Sequence, residues 1–353
     1  MSDHIEIVKR AIEFRKPDYI PMEILDVPHI YNAYHTLDPN TVALIPGTEN
    51  FDILWPCCYS WYHTVTGKTR EGEILKEDQF GVKLKTPLDE NSTYVLLGHP
   101  LSGKDSLDGY EFPDPDDLDP YFQKLGNTIK EKYPDRFINA KIDAGIFLTA
   151  QFLFGMQDFL LHIACNPLLV SETYARVAEY YKHVVVKYKQ AGAHMITVFE
   201  DIGGDHAHAL LIRPDDWRKY FKPTLTGFYK FVHEQGMYTG ILIDGNSGAV
   251  LDDLGELGVD VFSVVDPKAT GIELIRDKLK GKICINASVD MQHTLPHGTQ
   301  AEIEAETDSL HEAFHSPDGG FMCMVMRWHR PTYPEENVLA SVRGFNKYRM
   351  KSL

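Results

Sequence analysis

The sequence lacks most of the features that assign a function quickly. Its five cysteines, Cys57, Cys58, Cys165, Cys284 and Cys323, show no Cys-x-x-Cys spacing in 353 residues. The start, Met1-Ser2-Asp3-His4-Ile5-Glu6, has neither the basic beginning nor the apolar core of an export signal. An odd number of cysteines without such a signal leads to the expectation of reduced thiols and a cytoplasmic location. No apolar run approaches the roughly 20 residues of a membrane span. Positive charge is also scarce, with 35 Lys and Arg against 51 Asp and Glu and a net charge of −16. That balance argues against nucleic acid or an anionic membrane as partner. No Gly-x-Gly-x-x-Gly follows a strand, so nucleotide binding has no fingerprint behind it. No Ser-His-Asp or Cys-His set can be picked out.

What is present is a repeated alternation of apolar strands and helices. The stretch Tyr238 to Gly248 is the clearest unit. Ile241, Leu242 and Ile243 make an apolar run suited to a parallel strand buried on both faces. It ends abruptly in Asp244-Gly245-Asn246, and a helix is expected from Ala249 through Leu251, Leu254 and Leu257. Strands of the same kind are expected at 20–25, 137–143, 194–200, 259–266, 282–290 and 319–327. A helix is expected over 166–190, where Tyr174, Val177, Tyr181, Val184 and Tyr188 share one face. Shorter helices fit 4–15, 121–132 and the segment after Glu335. This order requires a parallel sheet with right-handed crossovers. The fold class is α/β, and a (β/α)8 TIM-type barrel, regular or distorted, is the expectation. An open doubly wound sheet is the alternative. Seven strands can be counted; the eighth cannot be placed.

The whole chain, 1–353, reads as a single barrel domain. Residues 27–125 read as an irregular insertion flanking the pocket. Within it Phe80, Val82 and Leu84 alternate with Gly81, Lys83 and Lys85, and a hairpin with Tyr94–Leu97 is expected. Trp55, Tyr59 and Trp61 lie in an aromatic stretch that either walls the pocket and sandwiches an aromatic substrate or belongs to the core.

Asp143, Glu200, Asp201, Asp244, Asp266 and Asp290 all fall at or just past expected strand ends. In a closed barrel those ends converge on one mouth, the face that carries the chemistry. Acids crowded there must bind a cation or retain protons, and a retained proton makes a general acid. The competing reading is that each acid caps a helix N-terminus. Arg327 and His329 reach the same rim from the last strand. His206 and His208 in the loop after Glu200-Asp201 are candidate metal ligands, together with Glu200 and Asp244. Zinc favours His and Cys over such a carboxylate-rich set.

Several motifs resemble those of the uroporphyrinogen decarboxylase superfamily. They are Lys16-Pro-Asp-Tyr-Ile-Pro21, Phe154-Gly-Met-Gln-Asp158, Glu200-Asp-Ile-Gly203, Arg213-Pro-Asp-Asp-Trp217, Ile243-Asp-Gly-Asn246, Leu257-Gly-Val-Asp260, Val289 to Thr299 and Pro334-Glu-Glu-Asn-Val338. Within that superfamily the chain is most similar to the corrinoid-dependent methyltransferases of the O-demethylase type. The resemblance implies a barrel with its pocket at the strand C-termini, a small methylated donor and a cobalamin carried on a partner corrinoid protein. Under it Asp201 and Asp244 take the acid and cation-binding roles, and Arg327 or His329 steadies the departing oxygen. Asp143, Glu200 and Asp290 would line the substrate site with the three aromatics. A homodimer is the default assembly.

Two departures qualify the resemblance. Leu242 and Asp244 stand where zinc-dependent relatives have His-x-Cys, and Arg327 or His329 stands near their third ligand. Zinc would then need Asp244 with Glu200, Asp201 or the loop histidines. The decarboxylase proper carries an arginine-rich segment after its first strand, whereas Met22 to Pro28 contains no arginine. An acidic pocket repels a polycarboxylate, at about 4 kcal/mol per pair of unit charges 4 Å apart. The alternatives are a decarboxylase acting on a small acid or a uroporphyrinogen-like substrate, and a barrel that binds its ligand without turning it over.

Overall fold

The computed structural model describes residues 3–26, 51–56, 63–86, 94–142, 144–204, 210–327 and 333–349. Twelve strands are present among them. They are β1 (Met22–Asp26), β2 (Ile53–Leu54), β3 (His63–Lys68), β4 (Ile74–Asp78), β5 (Lys83–Thr86), β6 (Val95–Gly98), β7 (Phe137–Ile142), β8 (Met195–Phe199), β9 (Tyr238–Leu242), β10 (Val261–Val264), β11 (Cys284–Ala287) and β12 (Phe321–Arg327). Eight of these close into a barrel in the order β1-β12-β11-β10-β9-β8-β7-β2. Every barrel pairing is parallel. The barrel follows chain order all the way round, which is the (β/α)8 architecture and excludes the open sheet.

The strand that the sequence does not mark is β2. It has two residues, pairs Ile53 with both Glu23 and Phe137, and closes the barrel. Two residues are too few for any periodicity. The stretch 27–125 is therefore not an irregular insertion throughout. It contains this barrel strand and a four-stranded antiparallel sheet, β3-β4-β5-β6. The expected pairing of the 80–85 region with 94–97 is found as β5 against β6.

Helices cover the barrel. The longest, Pro167–Ala191, starts with proline in its first turn and stops at Gly192, whose φ of 104° only glycine adopts freely. Tyr174, Val177, Tyr181, Val184 and Tyr188 are all fully buried along it. The helix expected from Ala249 is shorter than its leucine spacing suggests. A single 3-10 turn, Gly248–Val250, precedes a helix limited to Asp253–Leu257. At the closed end of the barrel Asp52 gathers His4 (2.7 Å), Tyr19 (2.7 Å), the Met22 amide (2.9 Å) and Arg349 (2.7 Å). This joins both ends of the described chain to the barrel floor. Among the described residues no single helix is long and apolar enough to cross a membrane.

The barrel interior is partly polar. Glu23 on β1 and Lys141 on β7 are both 0% exposed and lie 3.1 Å apart. Glu23 also accepts from Asn139 (2.9 Å) and Asn286 (2.7 Å), and Thr197 donates to Asn139 (2.8 Å). The Lys141 ammonium lies 5.3 Å from the Trp55 ring and 5.6 Å from Phe199. Both distances are within cation–π range.

Candidate functional site

Glu200, Asp201, Asp244, Asp266 and Asp290 each sit just past the end of a barrel strand. Their environments separate them. Glu200 follows β8 and turns away from the mouth. Its Oε1 accepts from the Ile146 amide (3.1 Å), the Phe147 amide (3.4 Å) and the Tyr174 hydroxyl (3.3 Å). It therefore caps the helix Ile146–Phe154, as the capping alternative expects. Burial pushes its carboxyl up to about 8, more than those three donors offset.

Asp201, Asp244 and Asp266 instead line a pocket of about 470 Å³ at the C-terminal mouth, with Gly203, Gly204, Gly245, Gln292 and His293 on its walls. Asp201 is pushed up to about 7 by burial and by the neighbouring Asp244. No hydrogen bond to the Asp201 carboxyl is found among the described residues. Asp244 is also raised by burial; the Gly245 amide, 3.1 Å from its Oδ1, works the other way. Asp266 reaches about 7 through burial and its hydrogen bond with Asp290. Asp290, fully buried after the neighbouring strand β11, does not line the pocket. A larger cavity of about 830 Å³ opens at the other end of the barrel, between the helices Asp119–Lys132 and Pro167–Ala191. None of the described strand-end acids lines it.

Glycines set the spacing of the mouth. Asn246 donates its amide to the Gly204 carbonyl (2.8 Å), so the turns after β8 and β9 form a bridge. A Cβ on Gly203 would stand 1.8 Å from the Asp244 carbonyl oxygen, and one on Gly245 would stand 2.4 Å from that of Gly204. Gly245 also has a φ of 74°. Thr270 donates to the Gly245 carbonyl (3.3 Å) and accepts from the Ser247 amide (3.0 Å), tying the β9 turn to the segment after β10.

The structure places the other candidates as follows. Trp55 is 3% exposed and packs on Phe199 at 6.5 Å and on the Lys141 ammonium, so its ring belongs to the core below the mouth. Arg327 is the last residue of β12. Asp143, Tyr59, Trp61, His206, His208 and His329, and the side chain of Arg327, lie outside the described residues.

Zinc finds no suitable donor set among the described residues. No three His, Cys, Asp or Glu side chains there group closely enough to hold a metal. Leu242, at the expected histidine position, is buried at 3%. Cys284, the first residue of β11, and Cys323, within β12, are buried thiols that burial drives far above their usual range. Glu200 is spent on a helix N-terminus, and among the described residues the pocket wall sets one imidazole, His293, against three carboxylates.

Glu23, Lys141, Asn139 and Asn286 are not among the candidates that the sequence marks. Their signal was available: charged and amide residues inside strands that are otherwise apolar. Nothing in the sequence says that four such residues on three strands meet.

The raised acids make stability pH-dependent. Folded Glu200 keeps its proton from the ordinary value of 4.5 up to about 8, while the unfolded chain releases it near 4.5. Its contribution is complete below 4.5 and is lost as pH rises through about 8, with a slope of up to about 1.4 kcal/mol per pH unit. Melting temperature should therefore fall between pH 5 and 8. In Glu200→Gln, which keeps the accepting Oε1, the fall should be shallower. Parallel melting curves for the two proteins across that range would count against the assignment.

The comparisons with known proteins agree with this architecture. No curated protein sequence is similar enough to this chain to count as a relative. Among solved structures, a methyltransferase from Methanosarcina mazei superposes with a TM-score of 0.74 at 17% identity, over 98% of each chain. The 3-keto-D-glucoside 4-epimerase from E. coli is more distant, with a TM-score of 0.44 at 12% identity over 70% of this chain and 89% of that one. The profile of the uroporphyrinogen decarboxylase family matches residues 75–348, well over half of the sequence. With its closed parallel barrel and its acids at the strand ends, the chain belongs to the uroporphyrinogen decarboxylase family.

Proposed function

We propose that the protein is a methyltransferase that removes a methyl group from a small methylated donor, such as an aryl methyl ether, and delivers it to a corrinoid protein. The observation that carries this reading is the pocket of about 470 Å³ walled by Asp201, Asp244 and Asp266. Its size suits a small molecule. Two of its acids hold their protons up to about 7. A phenolate with a pKa near 10 leaves poorly unless it is protonated as the C–O bond breaks. A positioned neutral acid typically contributes about 10²–10⁴ in rate. Asp201 and Asp244 would hydrogen-bond the oxygen end of the donor and orient it. The acid-rich wall also favours a neutral donor over the polycarboxylate of the family's namesake reaction.

The test is incubation with a broad panel of aryl methyl ethers and a reduced corrinoid protein, reading release of the demethylated product. Absence of product from every donor would overturn the reading. Carbon dioxide release from small acids without any corrinoid would put the decarboxylase reading first, because the same neutral acids can protonate a carbanion. Demethylation should also fall about tenfold per pH unit above 7, since ionised acids no longer donate. A rate that holds constant from pH 7 to 9 would remove acid catalysis from the mechanism.

A further inference from the structure

We propose that Asp266 is the proton donor of the site and that Asp290 positions the proton on Asp266 by itself remaining a carboxylate. The two residues follow the neighbouring strands β10 and β11, which pair through Val264 and Ala287. Their carboxyl groups are within reach of a mutual hydrogen bond, and Asp290 Oδ2 has no other partner among the described residues. Such a bond requires one proton between two acids, so one member is neutral and the other charged.

The surroundings decide which. Asp290 Oδ1 accepts from three backbone amides, Gln292 (3.1 Å), His293 (2.6 Å) and Thr294 (3.2 Å). Several amides aimed at one oxygen favour the ionised form. Burial opposes ionisation of Asp290, but Asp266, these amides and the Lys268 ammonium outweigh it. Asp290 Oδ2 is buried with no hydrogen bond from any other described residue, which leaves it to the Asp266 proton. The backbone of Asp290 is fixed as well: its amide donates to Glu306 (2.8 Å), and Lys268 bonds the other oxygen of Glu306 (2.6 Å). Among the described residues Asp266 accepts only the Ala269 amide (3.2 Å); it lines the pocket, where Asp244 adds negative charge. The charge therefore rests on Asp290 and the proton on the acid that lines the pocket.

The described groups around the pair are Asp244 after β9, Lys268 on the segment after β10, His293 after β11 and Glu306 on the helix Gln300–Phe314. Asp201 lies on the same pocket wall. The acidic neighbours keep the proton on Asp266, and Lys268 holds the charge on Asp290.

The inference rests on the methyl-transfer reading only for the identity of the acceptor atom. In that reaction the methyl carbon passes to the reduced corrinoid, a two-electron nucleophile on the partner. The C–O electron pair stays on the departing oxygen. The Asp266 O–H bond breaks, its proton goes to that oxygen, and solvent later restores it.

Infrared difference spectra test the proton's position without any substrate. At pH 6.5, wild type minus Asp266→Asn should show the C=O band of one neutral carboxyl group. Wild type minus Asp290→Asn should show the same band. In Asp290→Asn the amide oxygen still accepts the three backbone N–H groups, while its NH₂ donates to Asp266 and turns it into a carboxylate. No neutral band in the first difference, or a band that survives in Asp290→Asn, would overturn the proposal. Activity adds a second arm, with aryl methyl ethers of graded phenol acidity. Both variants should lose about 10²-fold or more with the least acidic phenol and little with the most acidic. An equal loss across the series would indicate a structural role and overturn the assignment. If the bands behave as expected but wild type demethylates nothing, the proton pair stands and the methyl-transfer reading falls.

Discussion

Glu23→Ala is expected to lower the unfolding free energy by about 3–5 kcal/mol, the usual cost of removing one partner from a buried ion pair. Glu23 and Lys141 are both fully buried and 3.1 Å apart. The same carboxylate takes the side-chain amides of Asn139 and Asn286 at 2.9 and 2.7 Å. Alanine would leave those two donors without their acceptor and would remove the carboxylate 3.1 Å from the buried Lys141 ammonium. The Trp55 and Phe199 rings at 5.3 and 5.6 Å would remain. A cation–π contact is worth about 0.5–2 kcal/mol, which offsets only part of the loss. The double replacement Glu23→Met with Lys141→Met should cost less than the sum of the singles, because it removes both charges together. It should still fall short of wild type, since Asn139 and Asn286 stay uncompensated. Urea titration of wild type, Glu23→Ala, the two methionine singles and the double replacement measures this. A loss below about 1 kcal/mol for Glu23→Ala would show that the interior pair does not hold the barrel.

Gly203→Ala should have the largest effect on activity for the smallest change in chemistry. A methyl group there meets the Asp244 carbonyl at 1.8 Å, and that atom is backbone with little room to retreat. The turns after β8 and β9 would have to separate, breaking the bridge in which Asn246 donates to Gly204 at 2.8 Å. Asp201 and Asp244 would move apart on the pocket wall. A displacement of about 1 Å among positioned groups typically lowers rate about 10²-fold. Thermal stability should fall far less than for Glu23→Ala, because the strained contact lies in surface turns and the barrel interior is untouched. Turnover of the best donor, measured beside melting temperature, separates the two effects. Full activity in a stable Gly203→Ala protein would mean that the spacing of these two turns does not matter to the chemistry.

The two replacements mark the limits of what the sequence discloses. Alternating apolar runs and helical faces identify seven of the eight strands. They also put Glu200, Asp201, Asp244, Asp266 and Asp290 at strand ends, because each strand is long enough for its periodicity to show. β2 is invisible for the opposite reason: Ile53 and Leu54 are strand only because β1 and β7 lie on either side of them.

The sequence by itself determined the alternation of strands and helices, the parallel direction of the strands and the acidity of their C-terminal ends, since each depends on local pattern; closure into a barrel came only with β2. Only the tertiary structure decided how the acids divide. Glu200 turns to the helix Ile146–Phe154, Asp201, Asp244 and Asp266 line the pocket, and Asp290 does not. It also brought Glu23 to Lys141 across 118 positions of chain. Those outcomes rest on side-chain direction and on distances between strands remote in sequence, which no local pattern encodes.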